Sequence, residues 1–144
     1  MIHRERAAEC FGSGFSCSQA VFAAFSEDLG LDREMALRIA QPFGGGIAGT
    51  GSTCGAVSGA LLVIGLKHGR RRAEDNAAKE KTYALVSEFI DGFKARHGSI
   101  VCRELIGVDL GAPEGHAEAE RRGVFRELCP RFVAGAVELL ETIL

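Results

Sequence analysis

The segment PFGGGIAGTGSTCGAVSGALLVIGL, residues 42–66, constrains this chain more than any other. It runs from a glycine loop through Ser52 and Thr53, two candidate helix caps, into an apolar stretch, and so places Cys54 in a helix's first turn. A thiol there faces backbone N–H groups that have no partner inside the helix. Those donors and the positive end of the helix dipole favour thiolate, the form that attacks disulfides and binds metals. Gly44, Gly45, Gly46, Gly49 and Gly51 permit positive φ and a close approach of the backbone, and Gly55 continues that approach at the helix start. Such a loop can cradle an anion, a sulfur or a cluster. The plain alternative is a tight turn into a buried helix.

The same capping test separates the other cysteines. Ser16 precedes Cys17, and Gln19 completes a capping box, so Cys17 takes the first helical position. Ser99 caps residues 100–106, with Cys102 in the first turn and an inward stripe of Cys102, Leu105 and Ile106. Cys129 stands before Pro130, whose fixed φ suits a helix start. Four of the five cysteines thus fall at helix starts, and each continues its helix's apolar face. Cys17 leads to Val21, Ala24 and Phe25; Cys54 to Val57, Leu61 and Ile64; Cys129 to Val133, Ala136, Val137 and Leu140. If these faces share one core, four thiols meet at one end of it. Cys10 has no cap before it and reads as a small buried or half-buried apolar residue.

The cysteines need an explanation other than structural bridges, because 144 residues can bury a full core without disulfides. Residues 1–144 read as a single domain. The formal net charge of −2 gives no basic field for nucleic acid. His3, Arg4, Glu5 and Arg6 lead into an amphipathic stretch with no signal peptide, which points to the cytoplasm, where thiols stay reduced. The apolar run at residues 54–66 is too short for a membrane span and suits a buried core helix.

Helical spacing recurs along the rest of the chain. Asp32 caps a short helix that Pro42 stops; Gly51, Gly55 and Gly59, four apart, invite a neighbouring helix to approach closely. The cations Lys67, His68, Arg70, Arg71 and Arg72 suit a helix C-terminus at a solvated corner. Residues 73–96 form the longest pattern, a scaffold helix with Leu85, Val86, Phe89, Ile90 and Phe93 on one face and Tyr83 expected in the core. His97 follows near Cys102, where the two readings are a bond to free helix carbonyls and a metal ligand. Residues 107–115 form a loop, and residues 114–122 a short exposed helix or crossing to which no chemistry is assigned. No segment alternates as a strand does. The expected fold is all-α, a compact single-domain helical bundle of about six or seven helices.

Cys17, the motif Cys54-Gly55-Ala56-Val57-Ser58-Gly59, Cys102 and Cys129, with the flanking stretches GFSCSQAV, FGGGIAGTG and HGSIVCRELIG, resemble the C_GCAxxG_C_C family of bacterial and archaeal redox-active proteins over nearly the whole chain. Cys10 has no counterpart in that pattern. The resemblance implies a redox or metal role without naming a substrate. Either Cys17, Cys54, Cys102 and Cys129 exchange disulfides without a cofactor, or they hold an iron–sulfur cluster for electron transfer. Alternatives are a non-catalytic tetrahedral zinc module and a helical interaction protein with buried structural cysteines. The lack of a C-x-x-C pair counts against a zinc ribbon and a thioredoxin-type site. Walker spacing is absent, and no serine, histidine and carboxylate constellation stands out. The redox partner is unnamed by the sequence, and association into a homo-oligomer is left open.

Overall fold

The computed structural model describes residues 2–144. The described residues form nine α-helices: α1 (Ile2–Gly12), α2 (Cys17–Ser26), α3 (Arg33–Ala40), α4 (Gly55–His68), α5 (Asn76–His97), α6 (Cys102–Ile106), α7 (Gly115–Arg122), α8 (Val124–Glu127) and α9 (Cys129–Ile143). Seven have eight residues or more, in line with the expected bundle, while α6 and α8 are one-turn pieces. No strand occurs among the described residues, and the fold is all-α.

Local sequence chemistry sets several boundaries. Ser16 and Gln19 form the capping box of α2, and the Asp32 and Asp75 carboxylates accept from Met35 N and Ala78 N to start α3 and α5. Gly98 closes α5 in the left-handed conformation. Ser52 and Thr53, in contrast, do not cap α4; Cys54 itself is the N-cap residue, with no side-chain cap. Thr53 instead pairs with Val101 in an isolated antiparallel bridge. Cys54 N donates to Ile100 O at 2.7 Å, and Cys102 N donates to Ser52 O at 2.6 Å. This long-range pairing overrides the local cap. Ser99 likewise accepts from Val101 N and leaves Val101 as the N-cap residue of α6.

Helix α2 is the buried centre: every residue from Ser18 to Ser26 is buried, and α1, α3, α4 and α9 pack around it. The expected close approach to α4 falls here. A Cβ on Gly59 would stand 2.7 Å from the Ser18 carbonyl oxygen, and one on Gly55 3.2 Å from Cys17 Cβ. Gly51 lies outside that stripe, beneath Asp109. Val57, Val63 and Ile64 of α4, Phe89 and Phe93 of α5, and Val133, Val137 and Leu140 of α9 join α2 in one contiguous core. Each such side chain contributes roughly 1.5–3 kcal/mol by leaving water.

The longest helix, α5, is peripheral: only Phe89 and Phe93 are buried, against α4 and α9. Tyr83 lies off that stripe and is 65 % exposed beneath Lys79 Nζ, which corrects its expected place in the core. The basic corner behaves as a solvated helix end, with Lys67 donating to the Leu144 carbonyl and Arg70 to that of Ala73. No helix among the described residues is long and apolar enough to cross a membrane.

Candidate functional site

Cys17, Cys54, Cys102 and Cys129 all line one cavity of about 880 Å³ at the N-terminal ends of α2, α4, α6 and α9. Separate local features deliver them there. The capping box turns the chain into α2 at Cys17, and Pro130 sits in the first turn of α9 next to Cys129. The bridge between Thr53 and Val101 sets Cys54 and Cys102 as diagonal neighbours on one side of a two-residue ribbon. Diagonal positions of an antiparallel pair are roughly 7–8 Å apart. All five cysteines are free thiols.

The four thiols differ electrostatically. Cys17 and Cys129 are linked electrostatically: the Cys129 sulfur, then burial, raises the Cys17 thiol well above its usual range, and Cys17 in turn lowers that of Cys129. Burial pushes Cys54 up to about 11, although the N–H groups of Ala56 and Val57 pull the other way. Burial, then the neighbouring Cys54 and Cys129, pushes Cys102 up to about 12. Thiolate character was expected at all four helix starts; only at Cys129 does the thiol shift in that direction, and its first cause is Cys17. At the other three, desolvation and neighbouring sulfurs outweigh the helix ends.

The glycine loop takes an unexpected form. Gly45, Gly46, Ile47, Ala48 and Gly49 have φ of 64, 73, 68, 50 and 75°, a continuous left-handed run. For Ile47 and Ala48 this conformation costs roughly 1–2 kcal/mol each. Most of the loop's amides are engaged internally: Ala48 N bonds Pro42 O at 2.8 Å, Gly49 N bonds Gly44 O at 3.0 Å, and Ser52 N bonds Gly46 O at 2.7 Å. The loop therefore shapes the cavity wall by close approach and offers few donors to an anion. Gly45, Gly46, Gly49 and Gly55 line the cavity. Gly44 packs on Ser16 and Gly51 on Asp109, so neither faces it.

Two cavity residues were missed by sequence reasoning. His116 and Glu120, one turn apart on α7, stand at the rim, and the His116 ring lies 5.2 Å from that of Phe125. Their i, i+4 spacing was visible, but nothing local showed that α7 borders the thiols. Packing does: Gly115 sits directly against the Asp109 carbonyl, with no room for a Cβ. His97 is not at the cavity. It is wedged against Phe93, Phe132 and Gly135, with its buried Nε2 unpartnered among the described residues and its basicity lowered mainly by burial. Cys10 is buried beside a separate cavity of about 220 Å³, its sulfur 4.0 Å from an Arg33 guanidinium nitrogen. Burial raises its thiol and Arg33 partly offsets this.

Among the described residues, no group of three or more His, Cys, Asp or Glu side chains is arranged to hold a metal ion. As placed, the thiols share a cavity and not a single ligand point.

An all-α bundle that gathers four helix-start thiols at one cavity is a multi-thiol helical protein. Residues 15–143 match the family model described as "Putative redox-active protein (C_GCAxxG_C_C)", and the chain belongs to that family. Neither the curated proteins nor the solved structures contain a match.

Proposed function

We propose that the protein is a two-electron thiol redox protein in which Cys17 and Cys129 interconvert between a dithiol and a disulfide. The observation that carries this reading is that both sulfurs line one cavity large enough to admit a reactant, where each shifts the other's thiol in the opposite direction. Their interaction leaves Cys129 the more readily ionised, as the attacking member of a pair should be. Oxidation breaks two S–H bonds and forms one S–S bond, and it releases two electrons and two protons to an acceptor. Cys54 and Cys102 form a second pair whose thiols stay protonated at neutral pH. A cytoplasmic setting and a single domain over residues 1–144 accompany this reading.

A second reading is favoured by one observation, the Ala56 and Val57 N–H groups that favour negative charge on the Cys54 sulfur, since such donors tune cluster potentials. Here Cys17, Cys54, Cys102 and Cys129 would hold an iron–sulfur cluster, which would supply one-electron transfer. A zinc module draws less support, because three ligands are not gathered around one point.

The test is thiol counting and peptide mapping of protein purified without oxygen, before and after mild oxidation, alongside iron and sulfide assays. Loss of two thiols with a Cys17–Cys129 crosslink is expected, abolished in Cys129→Ser and kept in Cys10→Ser. Stoichiometric iron and sulfide would favour the cluster. Four thiols that resist oxidation in folded, metal-free protein would refute both.

A further inference from the structure

The oxidant of these thiols must reach them inside the fold. Cys54, Cys102 and Cys129 are buried, 4 to 8 % exposed, and Cys17 is half-buried, so a disulfide held on the surface of a protein partner reaches Cys17 at most and has no line of approach to Cys129. A small molecule does, through the cavity. Its volume of about 880 Å³ lies within the roughly 300–1,000 Å³ span of small-molecule sites, and a single thiol exchange needs far less.

The chemistry of the walls narrows the ligand. Phe11, Phe15, Phe125 and Phe132 line the cavity, and no lysine or arginine does so. Apart from the thiols, its ionisable lining residues are His116 and Glu120. Phosphate- or carboxylate-bearing oxidants, including nucleotide cofactors and glutathione disulfide, would enter with no cation to meet them and with a carboxylate at the rim. A neutral, flat molecule with ring faces for the phenylalanines meets no such cost. Polar donors are few and suit carbonyl oxygens. The His116 ring stands at the rim; Gln41 accepts from Gln19 Nε2 through its carbonyl, and its own NH₂ carries no bond among the described residues.

We propose that the cavity binds a neutral quinone and that the Cys17–Cys129 dithiol reduces it to the hydroquinone. This deepens the redox reading above and rests on it. In the step, the S–H bonds of Cys17 and Cys129 break, one S–S bond forms, and two electrons with two protons pass to the two carbonyl oxygens. The product is neutral, so no charge is left in an apolar cavity. Cys17, whose thiol the Cys129 sulfur and burial hold protonated, suits an acceptor that takes protons with its electrons.

The experiment uses the reduced full-length protein under argon and duroquinone, whose fully substituted ring resists addition by thiols. Oxidation is followed by quinone absorbance and by mapping the disulfide. One hydroquinone per chain is expected, with a rate that saturates in duroquinone and exceeds that of free N-acetylcysteine by about tenfold or more, as bound reactants should. Leu110→Trp and Leu105→Trp, made separately to narrow the cavity at half-buried wall positions, should each slow the reaction by about tenfold. Hydrogen peroxide, small enough to enter any of these proteins, reports whether the dithiol is competent at all. A rate linear in duroquinone and unmoved by both tryptophans, with peroxide still forming the disulfide, overturns the quinone site and leaves the redox reading standing. Saturating oxidation by glutathione disulfide faster than by duroquinone overturns it as well. Failure of both peroxide and duroquinone to form the disulfide removes the redox reading itself.

Discussion

Gly46 joins the fold to the thiol cavity, and Gly46→Ala tests that join. The added Cβ would meet Ser52 N at 2.6 Å, Cys102 Cβ at 2.7 Å and Gly51 C at 2.8 Å, at a backbone φ of 73°. Two costs add. The left-handed conformation costs an L-residue roughly 1–2 kcal/mol, and forcing a methyl into a filled site about 1–3 kcal/mol. The total, about 2–5 kcal/mol, is a large part of the roughly 5–15 kcal/mol that holds a domain folded. Gly49→Ala isolates the first cost, because Gly49 has φ 75° and its Cβ meets nothing within 4 Å. Urea unfolding under reducing conditions, followed by far-ultraviolet circular dichroism, should show Gly46→Ala losing about 1–3 kcal/mol more than Gly49→Ala at an unchanged m-value. The alkylation rate of Cys102 should change in Gly46→Ala alone, since only that methyl presses on its Cβ. Equal losses in the two variants would mean that the left-handed loop does not sit against Cys102, and the geometry of the cavity wall would have to be redrawn.

Alkaline pH should destabilise the protein through Cys54 and Cys102. Their folded thiols are raised from 9.0 to about 11 and about 12, so the folded state holds these protons more tightly than the unfolded chain does. This contribution is intact below about pH 9 and is lost as pH rises toward about 11 to 12. Urea midpoints measured across that range should fall, and should fall less in a Cys54→Ala, Cys102→Ala double variant; an equal slope would refute the assignment. Gly115→Ala drives a methyl into the Asp109 carbonyl and should lift α7 from the cavity rim. It should cost about 1–3 kcal/mol in chemical unfolding, and a fully stable variant would show that α7 is not held there.

What was legible in the sequence was local. The Ser16–Gln19 box and the Asp32 cap each involve residues within one turn of one another, and each appears where its pattern places it. The positions that departed from expectation answer to distant partners. Ser52 and Thr53 have good capping side chains, yet their backbone is drawn to Val101 and Cys102, nearly fifty positions on. Residues of α7 looked like solvated charge because His116 and Glu120 are indeed exposed; their place beside the thiols depends on the tight seat of Gly115 under Asp109.

The same division between local and distant forces decides the state of the thiols. A helix N-terminus stabilises a nearby negative charge by about 0.3–1 kcal/mol. Moving the Cys54 thiol from 9.0 to about 11 corresponds to roughly 3 kcal/mol in the opposite direction, and burial is its first cause. Burial wins, so a helix start alone does not make an enclosed cysteine a thiolate. The N–H groups of Ala56 and Val57 still point at that sulfur and would stabilise negative charge on it once the proton has gone. Losing an electron and a proton together avoids stranding that charge in the core, and losing the proton to a bound acceptor beside the sulfur avoids it as well. A site built this way keeps Cys17, Cys54 and Cys102 protonated, and on the proposal above a neutral acceptor seated among the phenylalanines takes up both the electrons and the protons.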